Sequence, residues 1–197
     1  MNIINKIGIK AGEYQLSRRL KKMQRNQRMH NFDTARTIGI IFNATQLENF
    51  THVKEFLNTL RDKDLEIYAI GYVDKKEIDD QLVIRKNFNF FCRTDLAWNY
   101  LPTAPFVNEL IDKKLDILID LSITPHFALQ YMAALSKASF KIGVYTPEKE
   151  KQRIYDLMLD ISKQPDISYL IEQVKYYLNM IHVDSGKEFI TLNTNKP

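Results

Sequence analysis

The chain has 197 residues, 45% hydrophobic and 26% charged, with one cysteine and a net charge of +4. That is the composition of one ordinary globular domain, and it excludes a disordered or fibrous chain, an intrachain disulfide and a cysteine-based metal cage. No apolar run approaches the ~18 residues of a bilayer span, and residues 1–11 do not form a secretory leader, so the expected location is cytoplasmic.

The charge is unevenly placed. Residues 1–36 carry nine Lys/Arg against Glu13 and Asp33, while the rest carries 19 basic and 22 acidic side chains. A basic arm on a mildly acidic body points to a polyanionic partner. Within the arm, Leu16, Leu20 and Met23 fall at helical spacing among Arg18, Arg19, Lys21, Lys22, Arg25 and Arg28, the candidate phosphate contacts. Gly8 and Gly12 are expected to interrupt an earlier turn, and 26–36 reads as a linker.

From residue 37 the pattern alternates between apolar runs and amphipathic stretches. TIGIIFN at 37–43 reads as a buried strand. Thr45 and Glu48 form a capping box for a helix with Leu47, Phe50, Val53, Phe56, Leu57 and Leu60 on one side. A second strand is predicted at 65–73, and a third from 82–85 and 87–91. A short helix follows at 105–113, then a fourth strand at 115–122. Thr124 as N-cap with Pro125 at the first helical position predicts a helix bearing Phe127, Tyr131 and Leu135. Strands at 140–145 and 155–161, a helix at 165–181 and a polar tail from 182 complete the chain.

This alternation predicts an α/β fold: a single doubly wound, mostly parallel, Rossmann-like sheet of six strands in the order 3-2-1-4-5-6. The organisation is a basic helical arm with linker (1–36), an α/β domain (37–181) and a C-terminal tail (182–197). In such sheets ligands bind where the strand order reverses, here between the first and fourth strands. Asn43, Thr45, Ser122, Thr124 and His126 would line that crevice as a candidate anion or ligand site.

The stretch LDILIDLSITPHFALQYMAALSKASFKIGVY at 115–145 resembles the acceptor-side domain of heptosyltransferase-type GT-B glycosyltransferases, with a strand ending in Asp, a helix with Ala-Leu, then Lys-Ile-Gly. The resemblance implies a glycosyltransferase-like fold. Those enzymes carry a Gly-Asp pair after the first strand, its Asp acting as catalytic base. Asn43, Ala44, Thr45 and Gln46 stand there instead, so the activity is not implied. Residues 1–181 also resemble a small bacterial family of uncharacterised α/β proteins sharing a basic first helix, a SIGIIF-like first strand, an ALGYV-like second and a DLMLDI-like sixth.

Chemical signatures fail in turn. No glycine-rich phosphate loop is present, no two of the four histidines stand at ligand spacing, and Ser122 has no nucleophile elbow. Asp120 and Asp160 end strands two steps apart, about 10 Å at ~4.8 Å per strand, and read as carboxylates bonding loop amides. Cys92, among Phe88, Phe90 and Phe91, reads as a buried thiol. No catalytic residue, metal or cofactor is expected. The function expected is a non-catalytic binding module whose arm docks on RNA or a ribonucleoprotein. The alternatives are an anionic membrane surface, a protein partner at the aromatic 82–100 region, and a small-molecule ligand in the crevice, the last disfavoured.

Overall fold

A computed structural model describes residues 3–83, 87–147 and 154–182. The elements in chain order are α1 (Ile3–Leu20), β1 (Thr37–Asn43), α2 (Leu47–Thr59), β2 (Glu66–Val73), α3 (Asp80–Val83), β3 (Phe88–Cys92), α4 (Pro105–Asp112), β4 (Ile117–Asp120), α5 (Phe127–Leu135), β5 (Phe140–Val144), β6 (Leu157–Leu159) and α6 (Ile167–Met180). The six strands pair in parallel in the order β3-β2-β1-β4-β5-β6, as expected.

The period-two alternation of the strands sorts the core into two layers. Ile38, Ile40 and Phe42 of β1, with Ile117 and Ile119 of β4, face α2 and α6. Ile41, Ile70, Tyr72 and Leu118 face α4 and α5 on the opposite side. Both faces are covered, which explains why the strands read as unbroken apolar runs.

Three expectations about helix caps and strand limits are corrected. Thr45 does not cap α2: Gln46 is the N-cap and makes no side-chain bond, because the Thr45 hydroxyl accepts the Asp74 amide at 2.7 Å. Thr124 does not cap α5: His126 does, its Nδ1 accepting the Ala128 amide at 3.3 Å. Leu82 lies in the single turn of α3, not in the third strand, and 84–85 fall outside the described residues.

The glycines of the arm do not interrupt its helix. α1 runs through both and packs on α5. A Cβ at Gly8 would stand 2.6 Å from the Trp98 carbonyl oxygen, and one at Gly12 2.4 Å from that of Asn99 and 2.6 Å from the Phe127 ring. The two glycines, one turn apart, form a flat strip on which the 97–100 turn rests. Residues 26–36 also lie against the body: Phe32 and Ala35 are buried, and Asn31 donates to the Ile181 carbonyl at 2.8 Å.

Candidate functional site

The strand order reverses between the neighbours β1 and β4, and one local device terminates strands at the carboxyl edge of the sheet. The Asn43 side-chain oxygen accepts the Thr45 amide, Asp120 accepts that of Ser122 and Asp160 that of Ser162, each at 2.9 Å. A short polar side chain that bonds the amide two residues on turns the chain out of the sheet. This is the loop-amide role expected for Asp120 and Asp160.

Around this edge the structure assembles a cluster on Asp74, just past β2. Its Oδ1 accepts the Tyr72 hydroxyl at 3.0 Å and Arg93 Nε at 2.6 Å, and lies 3.9 Å from His126 Nε2. The His126 ring lies against that of Tyr72, centroids 4.0 Å apart. The Arg93 hydrogen bond leads in holding the Asp74 carboxyl below its usual range, and desolvation opposes it. Burial pushes the Tyr72 hydroxyl up and His126 down, with Asp74 partly offsetting the fall of His126. At neutral pH His126 is therefore a neutral imidazole, its Nδ1 occupied by the Ala128 amide and its Nε2–H on the Asp74 side.

Beside this cluster Asp120 is buried and accepts the Tyr155 hydroxyl at 2.5 Å. Burial raises its pKa, against the lowering effect of its Ser122 and Tyr155 neighbours. The Ser122 hydroxyl is enclosed without a well-aligned hydrogen-bond partner, although it is near enough to Asp120 to favour the carboxylate. Of the predicted crevice residues, Thr45 and His126 thus converge on Asp74, Asn43 sets the Thr45 turn, Ser122 lies beside Asp120, and Thr124 is exposed. Tyr72, Asp74, Arg93 and Tyr155 were not anticipated. Asp74 had the signal used for Asn43 and Asp120, a polar residue at a strand end, whereas Arg93 arrives only through the pairing of β2 with β3. Among the described residues no three potential metal ligands cluster, and no helix is long and apolar enough to cross a membrane.

The second candidate surface is the basic N-terminal segment. Two of its six expected phosphate contacts are engaged by the body. Arg19 donates to the Tyr131 hydroxyl and lies over that ring, 5.5 Å from its centroid. Arg25 pairs with Asp156, with only 9% of its side chain exposed, and Gln27 donates to the same carboxylate at 2.9 Å. Arg25 therefore leaves the set of cations open to a partner. Arg18, Lys21, Lys22 and Arg28 remain exposed, as do Lys6 and Lys10. None of these six makes an ion pair among the described residues.

No protein of curated function matches this chain significantly. Among solved structures, E. coli heptosyltransferase WaaC with ADP-2-deoxy-2-fluoro heptose is similar at 16% identity and a TM-score of 0.46, over 77% of this chain. The match covers 51% of that protein, so this chain spans about half its length. The profile of a family of unknown function, DUF6913, matches residues 9–181, and the chain belongs to that family.

Proposed function

We propose that the protein is a non-catalytic binding module that docks on a polyanion, RNA or a ribonucleoprotein surface, through its N-terminal segment. One observation carries this reading: Lys6, Lys10, Arg18, Lys21, Lys22 and Arg28 are all exposed and have no acidic partner among the described residues, while Arg25 and Gln27 fasten the segment to the body. A segment whose backbone is already fastened to the body spares the cost of ordering the chain, and its exposed cations release counterions when they meet phosphates. The test is retention on a heparin column and binding to mixed RNA across a salt series. The wild-type chain binds with an affinity that falls steeply with salt. Lys10→Glu/Lys21→Glu/Lys22→Glu elutes earlier and has a shallower salt slope. Equal elution of the two proteins overturns the reading.

A second reading places a small anion or ligand in the β1/β4 crevice, favoured by the enclosed Ser122 hydroxyl next to Asp120. It requires that His126→Ala and Asn43→Ala abolish a thermal shift produced by a metabolite panel. A panel that shifts nothing removes it.

A further inference from the structure

Two successive crossovers carry the chain the same way across the sheet, from β1 to β2 and from β2 to β3. Right-handed connections place both on one face, that of α2. The first crossover is the 13-residue helix α2, whereas the helix described in the second, α3, is a single turn. The sheet is therefore unevenly covered. On β1 the residues of this face, Ile38, Ile40 and Phe42, are fully buried, while Ile67 of β2 and Phe88 and Phe90 of β3 stay partly open.

Between α2 and the first residues of β2 and β3 this leaves a cavity of about 400 Å³. Phe50, Leu57, Leu65, Ile67 and Phe88 build its apolar wall. Lys54, Asn58 and Arg61 line it too, at four- and three-residue spacing, as one polar stripe along α2 and the turn after it. These three side chains are exposed, so they stand at the mouth. Neither cation forms an ion pair among the described residues. An apolar wall with unneutralised cations at its mouth matches a ligand with an apolar body and one anionic head. The lining follows α2 from Phe50 to Arg61, about 16 Å at 1.5 Å per residue. The volume holds about a dozen groups of the size of water, at ~30 Å³ each. So few atoms over such a length make a chain and not a ring system.

We propose that this cavity binds a medium-chain carboxylate of the size of decanoate. Its chain lies along Phe50, Leu57 and Phe88. Its head pairs with Arg61, whose planar guanidinium takes both carboxylate oxygens, and Lys54 adds positive field. A polyanion would use the cations and leave the wall bare. A neutral hydrocarbon would leave the cations unused. The cavity lies on the opposite face of the sheet from α5, against which α1 packs, so the proposal stands apart from the polyanion reading.

The experiment is isothermal titration calorimetry of the full chain with sodium decanoate, decan-1-ol and decyltrimethylammonium, each below its micellar concentration. The expected result is saturable binding of decanoate, about tenfold tighter than that of either other amphiphile. Arg61→Gln should cut the decanoate affinity about tenfold and leave decan-1-ol unchanged. Asn58→Trp puts a large ring into the cavity from an exposed helical position and should abolish binding of both. Lys10→Glu/Lys21→Glu/Lys22→Glu should bind decanoate as the wild type does, whatever its retention on heparin. Absence of saturable binding overturns the proposal. Equal affinity for the three amphiphiles overturns it as unspecific apolar contact, and unchanged binding in Asn58→Trp places the site elsewhere. Self-association that Asn58→Trp abolishes, in a chain that does not bind decanoate, overturns it in favour of a second copy. Circular dichroism shows whether each variant is folded, and should Asn58→Trp fail to fold, the exposed Arg61→Gln carries the test.

Discussion

Arg25 and Asp156 form an ion pair between the N-terminal segment and the residue that precedes β6, and the carboxylate is shared. Asp156 also accepts Gln27 Nε2 at 2.9 Å and the Lys141 backbone amide at 2.8 Å. One acidic side chain thus ties the segment to the start of two parallel strands. Asp156→Asn should cost more stability than Arg25→Ala, because it weakens three donor contacts instead of one. The expected losses are about 2 kcal/mol and about 1 kcal/mol for these partly buried groups, read by urea denaturation. A larger loss from Arg25→Ala would refute the shared-acceptor account.

Lys141 is buried in β5, and its Nζ donates to the carbonyls of Ala133 and Ala134 at 2.7 and 3.0 Å. These are orphan acceptors of the last turn of α5, so the lysine caps a helix from a neighbouring strand. Burial lowers its pKa to about 7, helped by Arg25 and opposed by Asp156. In the unfolded chain the ammonium persists to about pH 10. Between about 7 and 10 the unfolded state binds the extra proton, so this group makes stability rise with pH across that window. Lys141→Met should flatten the rise and, by orphaning two carbonyls, lower stability by about 1–3 kcal/mol at pH 9. Denaturation midpoints from pH 6.5 to 10 for both proteins check this.

Gly12 has the Asn99 carbonyl oxygen 2.4 Å from the position of a Cβ, a backbone atom that has no rotamer by which to retreat. Gly12→Ala should therefore shift α1 off α5, even though alanine favours the helix by about 1 kcal/mol. The expected signature is faster amide exchange in α1 with the sheet still protected. Unchanged exchange would show that the contact is loose.

The Asp120 carboxyl, raised by burial, keeps its proton in the folded protein above the pH at which the unfolded chain releases it. Its contribution to stability is therefore lost as pH climbs above about 4. Asp120→Asn keeps the shape and removes the titration. It should gain on the wild type as pH rises from 4 to 7, measured by thermal denaturation. Tyr155→Phe, which strips the 2.5 Å donor from that carboxylate, should destabilise at neutral pH by about 1–3 kcal/mol.

The strand order was legible in the sequence because buried parallel strands are bounded by amphipathic helices and their crossovers obey one hand. Cap positions were less legible. Thr45 has the chemistry of an N-cap, yet its hydroxyl is taken by the Asp74 amide, a residue 29 positions away that β1–β2 pairing brings alongside. The cluster on Asp74 was half visible, since Thr45 follows the end of β1 and His126 starts α5, while Arg93 reaches it from the turn after β3. Gly8 and Gly12 looked like helix breakers because glycine disfavours isolated helices, and a backbone-to-backbone contact reverses that meaning.

Composition and periodicity alone determined that this chain forms a doubly wound α/β sheet with its positive charge concentrated before residue 37. Only the tertiary structure decided which of those charges are open to a partner: Arg25 is taken by Asp156, Arg19 by Tyr131, and Lys6, Lys10, Arg18, Lys21, Lys22 and Arg28 are left exposed. The reason is that periodicity is local, repeating every two or 3.6 residues, whereas the partner of a charge is set by chain segments more than a hundred residues apart.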